Sequence, residues 1–86
     1  MRIKKVQIEL ETENKIFNKH GVARKEIEEG LLDNKPIFYK AKEGRYMALT
    51  HKFRYVTIIF RYEKGIANIK TAYLSSDWQI RLYKRQ

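Results

Sequence analysis

The second half of the chain holds four runs rich in β-branched and aromatic residues, "PIFYKAK", "RYMALTH", "RYVTIIFRYE" and "IANIKTAYL", separated only by short Glu-Gly, Lys-Phe and Lys-Gly connectors. A parallel pair of strands needs a crossover of about a dozen residues or more, and none of these links can hold one. The runs therefore predict an antiparallel meander. In the third run the two-residue period turns Val56, Ile58 and Phe60 to one face and Tyr55, Thr57, Ile59 and Arg61 to the other. In the fourth, strict alternation sets Ala67, Ile69 and Thr71 against Asn68, Lys70 and Ala72, giving one smoother side for packing and one polar side for binding.

The first half reads differently. "RIKKVQIEL" places Ile3, Val6, Ile8 and Leu10 among basic and polar residues, as a half-buried strand does. In "ETENKIFNKHG", Thr12 is placed to cap a short helix that turns Ile16 and Phe17 inward, and Gly21 ends it. A second helix runs from Ala23 to Leu32, with Ala23, Ile27 and Leu31 on one face and Arg24–Glu28 and Lys25–Glu29 as surface pairs. Gly30 weakens that helix, and "DNKP" breaks it because the residue before Pro36 is pushed out of helical geometry. At the other end "SSDWQIRLYKRQ" opens with Ser76-x-x-Gln79, a capping-box spacing, and closes with Lys84 and Arg85, where cations suit the helix dipole. Trp78 and Leu82, four apart, form the face expected to pack. The expected architecture is α+β: a single domain over residues 1–86, N-terminal helices on one face of a twisted antiparallel sheet, and a C-terminal helix.

Eighty-six residues allow one lean core. The absence of cysteine excludes a disulfide framework and a thiolate zinc site, and a cytoplasmic setting is expected. No apolar run is long enough to cross a bilayer, and no signal-peptide apolar region opens the chain, so no membrane partner is expected. His20 and His51 lie far apart and no closely spaced set of His, Asp and Glu accompanies either, so neither metal nor other cofactor is expected. Ser75 and Ser76 read as helix-capping residues without the glycines of a nucleophile elbow. The four glycines are isolated, which excludes a phosphate-binding P-loop.

The net charge of +9 on so small a body points to a polyanionic partner, nucleic acid or an acidic protein. The residues suited to RNA include Arg45, Tyr46, His51, Arg54, Tyr55, Arg61, Tyr62, Lys70, Tyr73, Arg81, Tyr83 and Lys84. Arginine and lysine hold phosphates, aromatic faces stack unpaired bases, and histidine moves protons near neutral pH. RNA cleavage can proceed without a metal, since the adjacent 2′-hydroxyl is the nucleophile and the protein need only align it, stabilise the phosphorane and protonate the leaving oxygen. The same residues also describe an ordinary solvated sheet face. His20, just before Gly21, equally suits a helix C-terminus, where an imidazolium favours the dipole.

The order of the pieces resembles the BrnT family of toxins from type II toxin–antitoxin systems: a short helix ending in "NKHGV", a helix bearing "EIEEGLLDN", then "EGRYMALT", "RYVTIIFRYEKG" and "IKTAYLSSDWQIRLY". Lys19-His20-Gly21-Val22, Arg45-Tyr46 and Tyr83 match the family's marks. Tyr73 departs from them, standing where the family usually carries an arginine, and a phenol donates a hydrogen bond without a fixed positive charge. The resemblance implies a RelE-like fold and a metal-independent endoribonuclease that arrests translation, acts on RNA free or ribosome-associated, and is neutralised by a cognate antitoxin. His20 would then serve as acid or base and Arg45, Arg61 and Lys70 would hold the scissile phosphate. Tyr46, Arg54, Tyr73, Arg81, Tyr83 and Lys84 would bind substrate. The alternatives are a non-catalytic RNA- or DNA-binding module using the same face, and an interaction domain for an acidic protein.

Overall fold

The computed structural model describes residues 1–33 and 35–86; Asn34, part of the expected break before Pro36, lies outside them. The chain runs β1 (Lys5–Gln7), α1 (Leu10–His20), α2 (Arg24–Leu32), β2 (Ile37–Lys40), a 3-10 turn at Lys42–Gly44, β3 (Tyr46–His51), β4 (Tyr55–Glu63), β5 (Ile66–Leu74) and α3 (Asp77–Lys84). The architecture is α+β, with five strands ordered β1-β5-β4-β3-β2. Strands β2 to β5 form the expected antiparallel meander. The sheet as a whole is mixed, because β1 joins the far edge parallel to β5, pairing Val6 with Ala67. Only three residues of "RIKKVQIEL" form strand: Ile3 lies outside it, Ile8 is buried beyond its end, and Leu10 is the exposed first residue of α1.

One face of the meander carries the core. Val56, Ile58 and Phe60 are at most 1% exposed and join Ala48, Ala67, Ile69 and Ala72 from neighbouring strands with Ile16 of α1 and Ile27 and Leu31 of α2. Burying a side chain the size of Phe60 contributes about 2–3 kcal/mol. Phe17, expected inward, is 56% exposed, since the helical turn that buries Ile16 carries its neighbour outward. Glu9, not Thr12, occupies the N-cap of α1. Arg24 does pair with Glu28, whereas Glu29 pairs with Lys52 of the β3–β4 loop rather than with Lys25. Gly30 lies against β3: a Cβ there would stand 3.1 Å from Thr50 Oγ1.

A register shift in β5 changes the alternation expected for that strand. Thr71 pairs with Ile59 and Ile69 with Phe60, so Lys70 is an extra residue with no partner across the ladder. Beyond it Ala72, not Thr71, enters the core, and Thr71 and Tyr73 share the face of Asn68, Thr57 and Arg61. Helix α3 covers part of that second face, so helices lie on both sides of the sheet. Its capping box forms as the spacing predicts, with Ser76 N–H donating to Gln79 Oε1 at 2.9 Å. Trp78, expected to pack, is 53% exposed; the buried contact is Gln79, at 2%.

Candidate nucleic-acid interface

The helix that carries His20 ends because Gly21 takes a left-handed conformation, φ 67°, and donates its N–H to Phe17 O at 2.9 Å. The next segment is tied down from across the fold. Arg54 donates to Gly21 O at 2.8 Å and to both carboxylate oxygens of Glu26 at 2.6 and 2.8 Å. Those bonds raise the Arg54 guanidinium above its usual value and hold the Glu26 carboxyl below the usual carboxylate range, in each case chiefly through the hydrogen bond between them. The exposed Arg54 guanidinium is therefore committed to the α1–α2 junction, through Gly21 and Glu26.

His20 is exposed and shares an open depression with Lys15, Lys19, Ile16, Lys70 and Thr71. Lys70 also lines an adjoining depression with Arg61, Asn68, Gln7 and Glu9. The extra residue of β5 thus stands between the histidine and the arginine. Both cations are exposed. Arg61 in turn lies over the 3-10 turn, where a Cβ added to Gly44 would be 3.4 Å from its Nη1. The next residue, Arg45, is half-buried, and its Nε is enclosed without a hydrogen-bond partner among the described residues.

Tyr73, half-buried on the same face, brings its ring within 6.0 Å of the His20 ring, measured between centroids. Its hydroxyl oxygen accepts from Gln79 Nε2 at 3.0 Å. Gln79 Oε1 meanwhile accepts from Ser76 N–H and from Thr57 Oγ1, the latter at 3.0 Å, and Thr57 also bonds Ser75 Oγ at 2.7 Å. Reading the sequence identified Gln79 only as a cap. Its inward position goes with the outward turn of Trp78, beside it.

At the far end of this face Tyr55 stacks on His51, ring centroids 4.0 Å apart, and Tyr83 of α3 meets both edge-on. Lys84 Nζ sits 5.9 Å from the Tyr55 centroid. Arg81 is exposed on the same helix. Tyr46 is elsewhere. It pairs with Phe60 across the ladder, stacks on that ring at 6.0 Å and meets Tyr62 edge-on, which puts it on the core side of the sheet. Arg61, which follows Phe60, is on the opposite face, because residues paired across a ladder share a face. Of the expected site residues, then, His20, Lys70, Arg61 and Tyr73 gather, Arg45 adjoins them, Tyr83, Lys84 and Arg81 lie along α3, and Tyr46 and Arg54 do other work.

No protein-family model matches the sequence, and no functionally curated protein matches it. Among solved structures, the crystal structure of the Brucella abortus ribonuclease toxin BrnT superposes with a TM-score of 0.70, covering 85% of this chain and 97% of that one at 17% sequence identity. At that identity the likeness is one of architecture, and it agrees with the resemblance carried by Lys19-His20-Gly21-Val22, Arg45-Tyr46 and Tyr83. The chain has a BrnT-like fold.

Proposed function

We propose that this chain is a metal-independent endoribonuclease toxin, a single domain that cleaves cellular RNA, arrests translation, and is neutralised by a cognate antitoxin. The observation that carries the reading is the meeting of His20 with Lys70, and through Lys70 with Arg61, on the open part of a sheet face whose remainder is roofed by α3. The fold of a ribonuclease toxin supports it.

In this account RNA lies across the sheet with its scissile phosphate between Lys70 and Arg61. The 2′-hydroxyl oxygen attacks phosphorus and the bond from phosphorus to the 5′-oxygen breaks, leaving a 2′,3′-cyclic phosphate and a 5′-hydroxyl. His20 takes the 2′-proton or delivers one to the leaving oxygen, and water exchanges the other proton. Lys70 and Arg61, with the half-buried Arg45 guanidinium beside them, meet the charge that develops on the phosphorane oxygens. Tyr83, with the stacked His51–Tyr55 pair, offers aromatic surface for neighbouring bases, and Lys84 and Arg81 offer charge for their phosphates.

The test is incubation of the purified chain with total RNA, with and without ribosomes and in the presence of a chelator, followed by mapping of the new ends. Ends bearing 5′-hydroxyl and 2′,3′-cyclic phosphate are expected. Ends bearing 5′-phosphate, or cleavage that chelation abolishes, would contradict the metal-free route. The aromatic and basic end of the face also suits a module that binds RNA without cutting it, and intact RNA under all conditions, retained by the protein, would favour that reading.

A further inference from the structure

The hydrogen bonds around Gln79 fix a direction. A backbone N–H can only donate, so the atom facing Ser76 N at 2.9 Å must be the amide oxygen of Gln79, and the amide nitrogen must face the other way. Thr57 reinforces this by donating to the same oxygen. Both hydrogens on Nε2 are then spoken for, one by Met47 Sδ at 3.5 Å and one by the Tyr73 hydroxyl oxygen at 3.0 Å. Tyr73 is consequently an acceptor toward Gln79, and no described residue accepts its own proton. That proton belongs to a half-buried tyrosine whose ring adjoins His20.

Resting on the ribonuclease reading above, we propose that Gln79 is a positioning residue that commits the Tyr73 hydroxyl to donate its proton in a hydrogen bond to a phosphate oxygen of bound RNA. Tyr73 thereby supplies a neutral, directed donor. Ser76, Thr57 and Ser75 serve the same end by locking the amide. The capping box of α3 thus has two functions: it starts the helix, and it orients the donor beside the histidine.

A single substitution reverses the direction without removing the cap. In Gln79→Glu the carboxylate still accepts from Ser76 N–H, as glutamate does in a capping box. It presents an acceptor to Tyr73 as well, so the phenol proton turns inward and is lost to the substrate. Single-turnover cleavage and binding of an uncleavable 2′-O-methyl RNA oligonucleotide are measured for the parent, Q79E, Tyr73→Phe and the double variant, with thermal melting as the control for folding. The expected result is a loss of cleavage of about 100-fold in Q79E and in Y73F alike. The double variant should be no slower than the slower single one, because glutamate can only capture a proton that Tyr73 still has. Multiplying effects in the double variant would show that the new charge acts by itself and would overturn the proposal. Full activity in Y73F would overturn it alone, whether or not Q79E folds. Should the parent fail to cut RNA, the nuclease reading falls by itself, and the donor assignment is then decided by the oligonucleotide: weaker binding in both variants, without additivity, upholds it, and unchanged binding ends it.

Discussion

The imidazole of His20, the last residue of a helix, and the phenol of Tyr73, near the end of the last strand, lie with ring centroids 6.0 Å apart although they stand 53 positions apart in sequence. Two features bring them together. Gly21 stops α1 at His20, and β1 pairs only with Ile66, Ala67 and Asn68, leaving α1 to lie along the rest of β5.

The first of these gives a prediction for Gly21→Ala. No atom lies within 4 Å of the added Cβ, so the whole cost is conformational, from holding alanine at φ 67°. That cost is about 1 kcal/mol, which in a domain of this size lowers the melting temperature by roughly 4–8 °C. Gly21→Asn, which tolerates the left-handed region better, should melt closer to the parent. Because the cap also aims His20, the alanine variant should lose RNA cleavage beyond what its unfolded fraction explains.

Gly30→Ala has the opposite logic. In an exposed helix this change gains about 1 kcal/mol. Here the new methyl group meets Thr50 at 3.1–3.3 Å, and Thr50 is 4% exposed with its hydroxyl donating to Val56 O at 2.9 Å. Thr50 cannot retreat without breaking that buried bond, so a net loss of about 1 kcal/mol is expected in denaturant titration. Gly30→Ala with Thr50→Ser should recover part of it.

The Arg54–Glu26 pair predicts a pH dependence. Glu26 titrates lower folded than its ordinary value of 4.5, chiefly because Arg54 hydrogen-bonds its carboxylate. Its contribution is fully present above the ordinary value and disappears as pH falls through the lowered folded value. The pair is partly exposed, so Glu26→Gln should cost only about 0.5–1 kcal/mol at pH 7. The melting difference between parent and variant should shrink toward zero as acidification passes below the lowered folded value of Glu26.

Removing phosphate-binding charges should show in salt dependence. Lys70→Ala and Arg61→Ala each delete one exposed cation from adjoining depressions, with no ion pair broken among the described residues. Each should reduce the slope of log affinity against log salt by about 0.7 for single-stranded RNA, as expected for one phosphate contact. Arg54→Ala, whose charge is committed to Glu26, should leave that slope nearly unchanged.

The meander was legible because short connectors leave a chain no choice but to turn back. Gly21 and the Ser76–Gln79 spacing likewise marked helix ends at which local chemistry dominates. The parallel pairing of β1 was not legible: three residues with a partner some sixty positions away carry no turn signal, and their register is set by packing alone. The extra residue at Lys70 was hidden for a similar reason, since nothing in "NIKTA" announces a bulge, and missing it reversed the faces of Thr71 and Ala72. Tyr46 and Arg54 have side chains suited to RNA, but sequence could not show that a Phe60 ring and a Glu26 carboxylate already engage them.

Whether His20 performs proton transfer on RNA held by the neighbouring cations is decided by comparing the parent chain with His20→Ala in single-turnover RNA cleavage under chelation, alongside binding of an uncleavable RNA. His20 is exposed at the end of its helix, so the variant should fold. Cleavage reduced by at least about 100-fold, with binding changed little, is the expected result. Cleavage at the parental rate in the variant, or equal loss of binding and cleavage, would contradict it.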